Sequence, residues 1–382
     1  MTDRPLRIGV ACFSTFGGSG VIAAEVAIAL ARRGHAVHVF SDERPTRLTD
    51  APDGPIFHAV GSPVFPQIRH DLYSLALASR IIEVSRREHL DVVHAHYALP
   101  HAASARLARQ ILMADGDRAP PRIVTTLHGT DITLVGRDPA FLPLVRFSIL
   151  ESDAVTVPSA WLAAATRATM DLPSALHIDV VPNFVDIERF APRAPAAAAG
   201  AGARAPVLVH VSNFRPLKRI ADVVAIFARV RAAGPARLRL VGDGPDRASA
   251  VAELARLGLA GDVDVLGEQV DLPATLAGAD VFLLPSETES FGLAALEAMA
   301  CGVPVVASDV GGLPEVIGGE GAGFLRRVGD VEGMADCVRR LIDDPLLHRH
   351  MADGARHRAE TYFRPEPAIA RYLEVYRRVA GA

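Results

Sequence analysis

The sequence is short of cysteine, of tryptophan and of net charge, and these shortages narrow what the protein can be. Its three cysteines, Cys12, Cys301 and Cys337, lie far apart in 382 residues. They form neither a Cys-x-x-Cys pair nor a disulfide framework, which suits a reducing cytosol. With 40 basic against 44 acidic residues the formal charge is −4, so no broad field favours nucleic acid or an anionic membrane. No apolar run approaches the roughly 20 residues that span a bilayer. The opening Met1-Thr-Asp-Arg-Pro-Leu-Arg7 leads directly into a short apolar strand. The expectation is a cytoplasmic chain that handles small molecules, with no nucleic-acid partner and no membrane insertion. A homodimer is left open.

What the sequence does have is length and apolar content. Half of its residues are hydrophobic, and a chain this long exceeds what one core usually organises. Apolar runs alternate with helical patterns. Ile8–Cys12, His35–Phe40, Val92–His94 and Ile123–Thr126 read as strands, with helices at Val21–Arg33, Leu75–Glu88 and Ala102–Ala114 between them. From Ala191 to Pro206 the text becomes Ala/Pro/Gly-rich, as in a linker. Alternation then resumes with strands at Val207–Val211, Leu238–Val241, Val263–Leu266, Val281–Leu284 and Val303–Ala307. The expected fold is α/β, with two Rossmann-like doubly wound domains facing across a cleft. Residues 1–190 would form the first domain, 191–206 a linker and 207–363 the second domain.

Ligands of such sheets sit beyond the carboxyl ends of the strands, so the loops there carry the chemistry. Ser286 to Gly302 holds Glu289 and Glu297. On one continuous helix these two acids would be about 12 Å apart along the axis and roughly 80° apart around it, which is no acid/base dyad. A loop acid followed by a helix starting near Phe291 fits better. The N–H groups around Phe291, Gly292 and Leu293 could then grip a phosphate, with Glu289 and Glu297 accepting from hydroxyls on either side. Hydroxyl, phosphate, hydroxyl is the outline of a nucleotide sugar. On spacing alone the pair also reads as a solvated loop acid and a helix-surface acid.

Arg215 and Lys218, after the strand at Val211, are cations suited to a diphosphate, or equally a solvated surface. The Gly242-Asp-Gly244 turn lets backbone approach a base or ribose, and an ordinary tight turn has the same residues. His128 beside Gly129 could exchange a hydrogen bond with a sugar hydroxyl or support positive charge at a sugar carbon. Gly18-x-Gly20-x-x-Ala23, with Asp42 ending the next strand, fits a dinucleotide fingerprint literally. However, Phe13 to Phe16 intervene between strand and glycines, which weakens that NAD reading. His94-Ala-His96 with His101 looks metal-like by count but has neither nearby acids nor helical spacing, so packing is expected. Asp115-Gly-Asp117 and Asp262-Val-Asp264 read as turn or capping acids.

Gly17-Gly18, His128, Arg215, Lys218, Gly242–Pro245 and above all Glu289-Ser-Phe-Gly-Leu-Ala-Ala-Leu-Glu297 together resemble the GT-B retaining glycosyltransferases of glycosyltransferase family 4. Within that family, Cys12–Ala24, His94–His101, Thr125–Ile132 and His210–Arg219 look like members that transfer N-acetylglucosamine from UDP-GlcNAc to L-malate in bacillithiol biosynthesis. The resemblance implies His128, Arg215, Lys218 and Glu289 as catalytic residues. It implies donor contacts at Gly18, Asn213, Gly242, Phe291, Gly292, Leu293 and Glu297. For malate the candidates are Ser19, Tyr97, Thr126 and Arg146, of which Arg146 could equally lie on a solvated helix face. No metal and no cofactor are expected. Residues 364–382 would form a helix packing back on the first domain. The rival readings are a family member with another acceptor or sugar, and a nucleotide-sugar-binding protein without turnover.

Overall fold

The computed structural model describes residues 4–14, 17–48, 53–61, 72–193, 204–269, 271–319 and 321–381. The chain forms two compact units, Met1–Pro182 with Glu366–Ala382, and Asn183–Pro365.

In the first unit the strands are β1 Arg7–Ala11, β2 Ala36–Ser41, β3 Ile56–Ala59, β4 Val92–His96, β5 Arg122–Thr126, β6 Ala154–Val157 and β7 Ile178–Val180. They lie in the order β3-β2-β1-β4-β5-β6-β7, and every pairing is parallel. The second unit has β8 Val207–Val211, β9 Arg237–Val241, β10 Val263–Gly267, β11 Val281–Leu284, β12 Val305–Ser308 and β13 Gly323–Arg326. Their order is β10-β9-β8-β11-β12-β13, again parallel throughout. Both units are therefore Rossmann-like. Each reverses its winding once, between β1 and β4 and between β8 and β11, and such a switch point opens a crevice for ligand.

Parallel strands covered on both faces must be apolar almost throughout. Ile8 and Val10 of β1 and Val281 to Leu283 of β11 are accordingly fully buried. The helix Gly18–Ala31 buries Ile22, Ala23, Val26, Ala27 and Leu30, and its apolar residues run nearly all round. It is a core helix.

The domain boundary differs from expectation. The chain crosses at Pro182/Asn183, not in the Ala/Pro-rich stretch. Val185, Ile187 and Phe190 belong to the second unit's core, and the Arg356 guanidinium donates to the carbonyls of Ile187, Phe190 and Ala300. Apolar burial decides membership, whereas composition marks only the segment that follows. Residues 194–203 of the expected linker lie outside the described residues.

The helix Pro365–Ala380 is part of the first unit. It buries Tyr372 and Tyr376, and the Tyr376 hydroxyl is 2.7 Å from His94 Nδ1. Arg378 pairs with Asp179 of β7.

Candidate functional site

In the first unit the functional groups gather on the loops after β1, β4 and β5. Tyr97, directly after β4, has φ +87, a backbone state that strains a bulky residue by about 1–3 kcal/mol. Its N–H donates to the Thr126 carbonyl at 2.9 Å. Its hydroxyl donates to Ser19 Oγ at 2.9 Å, in the first turn of the helix Gly18–Ala31, where N–H groups lack intrahelical acceptors. The Tyr97 ring also lies 5.0 Å from the His128 ring.

His128 follows β5. Its Nε2 is 2.9 Å from His96 Nδ1, and its backbone N–H donates to Asp131 Oδ2 at 2.9 Å. The other oxygen of Asp131 accepts from the Ala98 N–H at 2.8 Å. One buried carboxyl thus ties together the loops after β4 and β5. Burial raises its pKa to about 7, against the lowering effect of those backbone donors. Burial, helped by His101, pushes His128 down to about 3. It is therefore a neutral imidazole, a form compatible with exchanging a hydrogen bond with a sugar hydroxyl.

Two expected acceptor contacts are redirected. Thr126 is 1 % exposed, and its Oγ1 is engaged by His94 Nε2 at 2.6 Å and Thr156 Oγ1 at 2.5 Å. It lies inside the sheet because its side chain falls on the covered face of β5. Arg146 donates through Nε to the Met170 carbonyl at 2.9 Å and through Nη2 to that of Asp171 at 3.0 Å. It completes the C-terminus of the helix Ala160–Met170, where carbonyls lack partners.

In the second unit the loops after β8, β9, β11 and β12 converge. Lys218 Nζ is 2.5 Å from Glu289 Oε1, and the Ser286 hydroxyl donates to the same oxygen at 3.0 Å. The Glu287 N–H donates to the Leu217 carbonyl at 2.8 Å, which locks the two loops in register. Asn213 and Arg215 are exposed.

The helix carrying Glu297 runs Leu293–Ala300 behind Gly292, whose φ is +93. It starts two residues later than expected, because Phe291 is drawn into the core, edge-on to Phe363. Gly292 and Leu293 remain at the helix start, with N–H groups available for an anion. Glu297 is 6 % exposed, so it is not a helix-surface acid.

Glycines bring these loops within backbone contact. A Cβ on Gly242 (φ +116) would lie 1.8 Å from the Ser212 carbonyl oxygen, and one on Gly244 2.1 Å from that of Asn213. Sequence reasoning missed the corresponding pair after β12. Gly312 donates to the Glu289 carbonyl at 2.9 Å, and a Cβ on Gly311 (φ +61) would lie 1.7 Å from that oxygen. The signal was legible as Gly-Gly two residues beyond a buried strand. Gly311→Ala is expected to cost at least about 2 kcal/mol of stability in urea unfolding. Gly261→Ala, with nothing near its Cβ, should stay within about 0.5 kcal/mol.

His210 was also missed. Its Nδ1–H donates to the Leu283 carbonyl at 2.8 Å, and its Nε2 accepts from Ser212 Oγ at 2.8 Å, which fixes the start of the Lys218 loop. Burial pushes its pKa down to about 4. Among the described residues no group of three or more His, Cys, Asp or Glu is placed to hold a metal ion. Asp262 and Asp264 pair with Arg231 and Arg237, while Asp117 accepts from the Ala119 N–H in a turn. No helix among the described residues is long and apolar enough to cross a membrane.

Residues 16–189 match the Glycosyltransferase Family 4 profile, and residues 205–344 the profile of Glycosyl transferases group 1. The chain is 41 % identical to N-acetyl-alpha-D-glucosaminyl L-malate synthase of Bacillus anthracis, over 97 % of this chain and 96 % of that protein. It is 32 % identical to a D-inositol 3-phosphate glycosyltransferase of Saccharomonospora viridis, over 96 % of this chain and 90 % of the other. Among solved structures, sucrose-phosphate synthase of Thermosynechococcus elongatus superposes with a TM-score of 0.78 at 23 % identity, covering 98 % of this chain and 99 % of that one. Anabaena HepE in complex with UDP-glucose gives 0.74 at 20 % identity, covering 97 % and 99 %. These two structures speak for the fold. The chain belongs to glycosyltransferase family 4 and is a glycosyltransferase with the GT-B pair of Rossmann-like domains.

Proposed function

We propose that the enzyme transfers N-acetylglucosamine from UDP-GlcNAc to the hydroxyl of L-malate, with retention at the anomeric carbon, in the cytoplasm. The reaction class rests on the Lys218–Glu289 pair beside a helix N-terminus at a topological switch point. The choice of sugar and acceptor rests on the likeness to the Bacillus anthracis synthase.

The bond from the sugar's anomeric carbon to the UDP oxygen breaks, and its electron pair leaves with the diphosphate. The malate oxygen bonds to the same face of that carbon, and its proton passes to the departing phosphate oxygen. No carboxylate nucleophile is needed. Lys218 and Arg215 supply positive charge where negative charge develops. The N–H groups at Gly292 and Leu293 hold the diphosphate, and Glu289 accepts from sugar hydroxyls. Glu297 accepts from the ribose, and the backbone at Asn213 and Gly242 borders the uridine. Gly18 contacts the donor, and Ser19 and Tyr97 receive the malate carboxylates. With these cations in place of a metal, turnover should persist in EDTA.

UDP release from UDP-GlcNAc, followed with and without L-malate, tests this reading. Malate-dependent release with a GlcNAc-malate product mass, much reduced in Glu289→Ala, is the expected result. Stimulation by D-inositol 3-phosphate and not by malate would transfer the reading to the reaction named for the Saccharomonospora relative. Binding of UDP-GlcNAc without release under any acceptor would reduce the chain to a binding protein.

A further inference from the structure

His96 takes no part in the chemistry above, yet it is the ring that His128 rests on. It ends β4 and is 0 % exposed. Its Nδ1 lies 2.9 Å from His128 Nε2, with the two rings 5.1 Å apart and inclined by 19°. Its own Nε2 is buried without a hydrogen-bond partner.

One hydrogen bond between two neutral imidazoles admits two proton arrangements. If His128 Nε2–H donated, His96 would keep its proton on Nε2 and bury an N–H with no acceptor. If His96 Nδ1–H donates, the buried Nε2 is only a bare lone pair. Orphaned buried N–H groups are rarer than under-satisfied acceptors, so the second arrangement wins. A doubly protonated His96 is ruled out by its burial among His94, His128 and His101, which holds its pKa well below the usual histidine range.

We infer that His96 is a positioning residue that holds His128 in the tautomer protonated at Nδ1. Nε2 of His128 then accepts from His96, and its sole ring donor is Nδ1–H. The ring acts on an oxygen of the reacting sugar as a hydrogen-bond donor, neither as a base through Nε2 nor as a cation. The catalytic consequence rests on the transfer reaction proposed above, but the tautomer does not.

The test uses 15N-histidine-labelled full-length protein and long-range 1H–15N correlation spectra, with His128 assigned by its loss in His128→Asn. The wild type should show His128 protonated at Nδ1, and His96→Leu should shift it toward the Nε2–H form. His96→Asn, whose amide can donate from nearly the same place, should retain the wild-type pattern. In turnover assays His96→Leu should lose about 10²-fold in kcat with the UDP-GlcNAc KM changing less than about 3-fold, and His96→Asn should recover most of that loss. A wild-type His128 carrying its proton on Nε2, or a tautomer indifferent to His96→Leu, overturns the inference. Absence of turnover in the wild type would instead count against the proposed reaction, and the spectra would still decide the tautomer.

Discussion

Lys218→Met should lower kcat by about 10²–10³-fold while changing the KM for UDP-GlcNAc far less, because its charge matters most where charge is developing. The side chain is 17 % exposed and its partner Glu289 10 % exposed, so solvent screens this cation weakly compared with a surface lysine. As the glycosidic bond breaks, negative charge grows on the departing diphosphate, and an ammonium held nearby by a neighbouring loop needs little reorganisation to stabilise it. The substitution also takes the ammonium partner from the Glu289 carboxylate and leaves it beside the Ser286 hydroxyl, which should lower stability as well. Lys218→Arg should not rescue activity, since a planar fork cannot replace a point charge in a space built around one. A kcat within tenfold of wild type, in a variant whose thermal unfolding confirms that it is folded, would remove Lys218 from the catalytic role.

Acid should destabilise this protein early. His94, His96, His101 and His210 are each 0 % exposed, and burial is the leading cause that lowers all four. His94 falls to about 3, His101 and His210 to about 4, and His96 well below the ordinary 6.5. Below about pH 6.5 the unfolded chain binds protons that the folded chain refuses, so stability rises with pH and is lost as pH falls from about 6.5 toward 4. Asp131 acts in the opposite sense. Its folded pKa of about 7 lies above the ordinary 3.8, so between those values the folded state holds a proton that the unfolded state has released. With His128 lowered in the same way, one carboxyl against these histidines leaves the histidines in control. With about 1.4 kcal/mol per proton per pH unit, the net loss by pH 5 is several kcal/mol, a large share of a typical stability of about 5–15 kcal/mol, so the urea midpoint should fall steeply on acidification. Urea midpoints measured from pH 7.5 to 5 check this, and a midpoint that holds steady or rises on acidification would contradict it.

The elements that sequence reasoning recovered are those whose apolar runs stand between clear punctuation. Val207–Val211 and Val281–Leu284 were read with the bounds the structure has, since each is a run of branched or large apolar residues followed by a polar loop. The strands Ile56–Ala59, Ala154–Val157, Ile178–Val180 and Gly323–Arg326 were not read. They are only three or four residues long, and three of them are sheet edges, where one neighbour suffices and the apolar requirement relaxes. The domain crossing was misplaced for a related reason. Asn183–Phe190 looks like a connector in one dimension, and its attachment to the second core becomes visible only once Phe363 and Arg356 lie beside it.

Among the candidate residues, those on loops after strands were legible from position and type, as Lys218, Glu289, His128 and Gly292 illustrate. Thr126 and Arg146 failed because a side chain's type says what it can bond to, not what is already bonded to it. Both found partners inside their own unit. Gly311 and His210 were missed because their role is to let one loop touch another, and neither loop names its neighbour.

The sequence alone determined the alternation of strand, loop and helix, the chemical character of each loop, and the membership of a family recognisable by its spacing of acids and glycines. These are properties of residues close together in the chain, where periodicity and turn chemistry act locally. Only the tertiary structure decided that Lys218 meets Glu289, 71 residues away, and that His96 meets His128, 32 residues away. Parallel sheets wound in this order place strands side by side that are distant in sequence, and β8 with β11, like β4 with β5, delivers its loops to one edge. The pairing of those loops is set by backbone hydrogen bonds across the sheet and by the burial they permit, which no local stretch of residues encodes.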